Sequence, residues 1–124
     1  MIVLRVEHKR KRDSYIKSAY AGPYAIRDKW DGLDEMVDEH TNPFTHPSID
    51  DDIRKYLSMD PDWFCGFKNM SDLKKWFGDW FGPLHDAGFV IREYKTDIAI
   101  HGDSGRQLVF KVTESKKMGN YNLV

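Results

Sequence analysis

Residues 63 to 81, WFCGFKNMSDLKKWFGDWF, constrain the chain most. A short aromatic run passes through a turn into the most regular apolar stripe of the sequence. Ser71 stands where an N-cap belongs and Asp72 lies in the first turn, beside the positive end of the helix dipole. Leu73, Trp76, Phe77, Trp80 and Phe81 then recur at helical spacing, so one face of a helix over 71–81 is apolar. Burying side chains of this size is worth roughly 1.5 to 3 kcal/mol each, enough to anchor a core, although Gly78 inside the helix costs about 1 kcal/mol against alanine.

At 124 residues the chain is long enough for one core and too short for two. The expectation is a single domain over 1–115 with a mobile C-terminal tail, 116–124, or an added edge segment. Nineteen basic and twenty acidic residues leave a net charge of -1, which removes the bulk attraction that nonspecific nucleic-acid binders use. One cysteine, Cys65, allows neither an internal disulfide nor a cysteine metal cluster, and flanked by Phe64 and Gly66 it reads as a small buried hydrophobe. No apolar run reaches the length of a membrane span, and the expected location is the cytoplasm, the host's if a phage encodes the chain.

Along the chain, Ile2 to His8 alternate as a strand, with Ile2, Leu4 and Val6 on one face and Val3, Arg5 and Glu7 on the other. An arginine on such a strand needs a partner, and a diphosphate, Glu7 or Glu93 could each supply one. Lys9 to Arg12 and Lys17, interleaved with Tyr15, Tyr20 and Tyr24, form a basic and aromatic segment over 8–24 that suits local nucleic-acid binding or a solvated loop.

A helix from about Trp30 to His40, a proline-containing loop over 41–48 and a second helix opened by Ser48 follow. Asp31, Asp34, Glu35, Asp38 and Glu39 on the first helix, with Asp50, Asp51 and Asp52 on the second, could engage a basic partner surface. His40, His46 and Asp50 to Asp52 lack the spacing of a metal site, so no metal is expected. Pro83 opens a short helix that Gly88 ends. FVIREY, DIAIHG and RQLVFKV, joined by connections of hairpin length, are three C-terminal strands. The predicted fold is α+β: a mainly antiparallel twisted sheet packed by three to four short helices.

The stretches LRVEHK, GPY and CGFKNMSDLKKWF, with Gln107 to Phe110, resemble a group of small phage and prophage proteins of unassigned activity. With that phage context, the compact size, balanced charge, absence of a catalytic motif and acidic clusters suggest an accessory protein that binds and modulates, or inhibits, a host protein or defence complex. The Arg5-Val6 strand, the Phe67, Leu73, Trp76 spacing and a polar residue opening a late strand more distantly resemble the mono-ADP-ribosyltransferase layout. That second resemblance implies a cofactor, NAD, with Arg5 holding it, Tyr24 or Phe67 stacking on its nicotinamide, and Gln107 at the place of the catalytic acid. A glutamine there can hydrogen-bond a ribose but cannot act as a general base.

Overall fold

The computed structural model describes residues 1–9, 22–24, 32–60 and 62–124. Strand β1 (Ile2–His8) is buried on both faces from Val3 onward, which explains its density of branched residues. It runs antiparallel to β3 (Phe89–Lys95), from Ile2 opposite Lys95 to His8 opposite Phe89. On the far side of β3 lies β6 (Lys116–Tyr121), with a register shift between Glu93 and Tyr94.

A second antiparallel sheet has β5 (Leu108–Lys111) at its centre, between β2 (Trp63–Gly66) and β4 (Ala99–His101). One bridge stitches the two sheets. Leu4 and Phe67 exchange backbone hydrogen bonds, both 2.8 Å. At the same point a Cβ on Gly66 would collide with Val3 Cγ1 and stand 3.1 Å from a Phe110 ring carbon, so only glycine fits the crossing.

The α+β class and the antiparallel pairing are as expected. The three C-terminal strands are all present, but the chain changes sheets after β3, so Lys95 and Thr96 start a crossing rather than close a hairpin. The tail expected to be mobile is, for the most part, strand β6, and Leu123 beyond it is buried in the core. Its low apolar density reflects a strand with an exposed edge.

Among the described residues four α-helices complete the layers: α1 (Asp34–Thr41), α2 (Asp51–Met59), α3 (Met70–Phe77) and α4 (Phe81–Asp86). Leu4, Val6, Phe89 and Ile91 of the first sheet meet Met36 of α1, Leu73 and Phe77 of α3 and Leu84 of α4. On its opposite face, Val3 and Tyr94 pack with Leu108 and Phe110 of the second sheet. The strand alternation of β1 therefore feeds two cores, one per face.

The helix predicted over 71–81 is two helices. Gly78 adopts φ +55, ends α3, and lets a 3-10 turn (Gly78–Trp80) redirect the chain into α4. Pro83 falls in the first turn of α4, where its missing N–H is no loss. The N-cap of α3 is Asn69 rather than Ser71: its Oδ1 accepts from the Asp72 N–H at 2.8 Å. Asn69→Ala is expected to lower stability by about 1 kcal/mol in urea unfolding, whereas Ser71→Ala should change little.

Candidate functional site

Three polar arrangements stand out on this frame. The first lies on the face of β1 turned away from the helices, where alternation carries Arg5 and Glu7 inward beside Arg92 and Tyr94 of β3. Glu7 keeps only 1 % of its surface exposed. Its Oε2 lies 2.7 Å from Arg92 Nε, and the Tyr94 hydroxyl donates to both oxygens, at 2.7 and 3.1 Å. Arg5 Nε is 3.6 Å from Oε1, while its NH1 donates to the Cys65 carbonyl at 3.0 Å and its guanidinium carbon sits 4.8 Å from the centre of the Phe64 ring.

Arg92 also donates to the carbonyls of His8 and Lys9 and to Asn120 Oδ1, so one residue ties the end of β1 to β6. Burial first, then the charge and hydrogen bond of Glu7, hold the Tyr94 hydroxyl far above the ordinary phenol range, against the opposing charges of Arg5 and Arg92. Tyr94 is thus a fixed donor. Burial likewise pushes the Cys65 thiol up to about 11 despite Arg5, which makes it a poor nucleophile at neutral pH.

The second arrangement joins α1, the loop after it and α3. Trp76 Nε1 can only donate, and it does so to the Tyr24 hydroxyl at 3.1 Å, leaving that hydroxyl to donate to His40 Nδ1 in a short hydrogen bond. The proton of His40 is then on Nε2, a buried atom with no hydrogen-bond partner among the described residues. His46 stacks on His40, ring centres 3.9 Å apart.

Both nitrogens of His46 face carbonyl oxygens, Trp76 O in the last turn of α3 at 2.6 Å and Pro47 O at 2.9 Å, so the ring ties the loop to that helix. Burial first, then His46, pushes His40 down to about 4. Burial also raises the Tyr24 hydroxyl far above its usual range, with the Trp76 hydrogen bond opposing. Neither group exchanges protons readily near neutrality, and the cluster acts as a clamp on the loop.

That loop carries the third feature. The Phe44 N–H is taken by Asn42 Oδ1, the Thr45 hydroxyl reaches the Glu39 carbonyl at 2.7 Å, and His46 N–H returns to the Asn42 carbonyl. Braced on both sides, Phe44 is nevertheless 97 % exposed. On α1, which leads into this loop, Asp34, Glu35, Asp38 and Glu39 are exposed.

Of the residues singled out from the sequence, Tyr24 and Phe67 both pack against Phe77 and Trp76, whereas Arg5 and Gln107 lie on other elements. Arg5 faces the second sheet. The Phe67 ring is buried among Trp76 and Phe77 in the core on the other face, Tyr24 belongs to the histidine cluster, and Gln107 is buried just before β5 with Oε1 lacking a partner among the described residues. Phe67 is therefore a packing residue rather than an exposed stacking platform. Of the acids, Asp31 lies outside the described residues, as do Tyr15, Tyr20 and most of the basic segment.

Asp50 accepts from the Ser104 N–H and hydroxyl at 2.9 and 2.6 Å and lies 3.5 Å from Arg106, and Asp52 accepts from the Asp103 N–H, so both fasten the β4–β5 turn. Asp51 is exposed beside Arg54. Glu7 was legible as a partner for Arg5. Arg92, His46 and Phe44 were not, because an arginine in an alternating strand, a histidine between prolines and a loop phenylalanine carry no motif.

The fold and these clusters define a small two-sheet α+β protein with a buried ion network. Among the described residues there is no group of three or more metal-ligating side chains, and no helix is long and apolar enough to cross a membrane. Over residues 1–124 the sequence matches the family model described as Bacteriophage T4 Y00F protein, and the chain belongs to that family. No curated protein and no solved structure was found to match it. The phage resemblance read from LRVEHK, GPY and CGFKNMSDLKKWF thus has a family behind it; the transferase resemblance gains no support.

Proposed function

We propose that this phage protein acts by binding a host protein, through α1 and the loop that follows it. The observation that carries this reading is Phe44, held almost fully exposed by a loop that is pinned at both ends. A free phenylalanine in water is ordinary when mobile; a phenylalanine presented by a braced loop loses little freedom on insertion into a pocket. Its burial would contribute roughly 1.5 to 3 kcal/mol, the scale of a binding hot spot. The exposed acids of α1 add selectivity for a basic rim around that pocket and speed encounter.

The test is capture from a lysate of the host bacterium on immobilised wild type, Phe44→Ala, and a variant with Asp38 and Glu39 changed to Lys. A host protein retained by wild type should be lost from Phe44→Ala and retained poorly by the charge reversal, with thermal melts unchanged because all three side chains are exposed. Capture that weakens with salt through the acids alone, with Phe44→Ala binding normally, would remove the anchor from the proposal.

A further inference from the structure

The first sheet ends in two very different edges. The outer side of β1 is buried and bridged to Phe67, whereas β6, with five of its six residues exposed, is paired on one side with β3. Among the described residues no strand lies beside its outward N–H and C=O groups, the arrangement that accepts an added strand. Three lysines mark this edge. Lys116 stands directly opposite Lys95 and Lys117 opposite Tyr94, all three lysines are exposed, and none makes an ion pair among the described residues.

Like charges placed opposite one another weaken a sheet, so Lys95 and Lys116 are better served by an added acid than by each other. Glu93 on the same face already accepts from the Tyr121 hydroxyl at 3.0 Å. Between the lysines and Tyr121, the register shift turns Met118 outward at 48 % exposure, and no atom lies within 4 Å of where a Gly119 side chain would begin.

We infer that β6 receives an extended acidic peptide as a fourth strand of its sheet. The open backbone supplies the ladder, Lys116 with Lys95 opposite it reads acid side chains on one face of the sheet, and Lys117 adds charge on the other. The lysines disfavour pairing with the same strand of a second copy, and a nucleic acid has no amide ladder to use the edge. This surface is separate from α1 and Phe44, so its failure leaves the proposal for that loop standing.

The probe is a fluorescent eight-residue peptide of alternating glutamate and valine, titrated by anisotropy into the full chain at low salt. Three comparison probes are the same peptide N-methylated at alternate residues, a lysine–valine peptide, and a single-stranded oligonucleotide. The acidic peptide should bind, and N-methylation, which removes the ladder donors, should weaken it by about tenfold or more, about 1.4 kcal/mol. Exchanging Lys116 and Lys117 for Glu should reverse the preference toward the lysine peptide in a chain whose circular dichroism is unchanged. No binding of the acidic peptide, equal binding of its N-methylated form, or oligonucleotide binding at least as tight, each overturns the inference.

Discussion

Glu7→Gln should destabilise the protein by about 3 to 5 kcal/mol, the cost of removing one partner from a buried ion pair. The amide keeps the volume of the carboxylate, so packing is preserved and the effect is electrostatic. Arg92 Nε, 2.7 Å from Glu7, would face a neutral oxygen while its other nitrogens remain committed to His8, Lys9 and Asn120. Arg5 would lose its nearest described acid.

A domain of this size has roughly 5 to 15 kcal/mol to lose, so a urea midpoint moved down by about a fifth or more is the expected reading. Tyr94→Phe removes only hydrogen bonds to the same carboxylate and should cost about 1.5 to 3 kcal/mol. Because both changes act on one carboxylate, the double variant should fall short of their sum. Full additivity would mean that Tyr94 and Glu7 stabilise the sheet independently.

Acid should weaken the fold in a window set by His40. The unfolded chain takes up a proton near the ordinary value of 6.5, whereas the folded ring, desolvated and stacked on His46, resists protonation until about 4. Between those values the unfolded state binds more protons, so stability falls as pH drops from 6.5 and levels off below 4. The whole shift corresponds to about 3 kcal/mol, and solvent screening at the rim of the cluster reduces it to about 2.

Melting temperature should therefore drop by roughly 6 to 10 °C across the window. Asp50 acts lower. Its hydrogen bond from the Ser104 hydroxyl holds it below its usual 3.8, so its contribution is present above that value and is lost only in stronger acid. His40→Asn, neutral throughout, should flatten the slope between 6.5 and 4 and leave the steeper acid limb intact. An unchanged slope in that variant would assign the acid response to another group.

The sequence made local elements legible where side chains follow a period. The alternation of Ile2 to His8 marks β1, and Leu73, Trp76 and Phe77 mark α3, because burial on one face leaves that imprint. The positive-φ break at Gly78 was visible only as a helical glycine, since its role depends on where α4 must go. Likewise, nothing in Lys95 and Thr96 distinguishes a hairpin from a crossing between sheets.

The candidate site was less legible for the same reason. Arg5 and Glu7 sit together at spacing two and could be paired on paper, but Arg92 joins them through strand register, which is long-range information. Phe44 gained meaning from the hydrogen bonds that hold its loop still.

The pairing of β1 with β3 has a consequence for how the chain is made. During synthesis β1 finds its hydrogen-bonded partner only when Phe89 to Lys95 emerge, and the bridge to Phe67 arrives before that partner does. Until then a strand rich in branched apolar residues is exposed with its edges open. Late, long-range pairing of this kind slows folding and invites association between nascent chains. Arg5 and Glu7, which become buried charges of the native sheet, are in that interval the charges that keep the strand in solution.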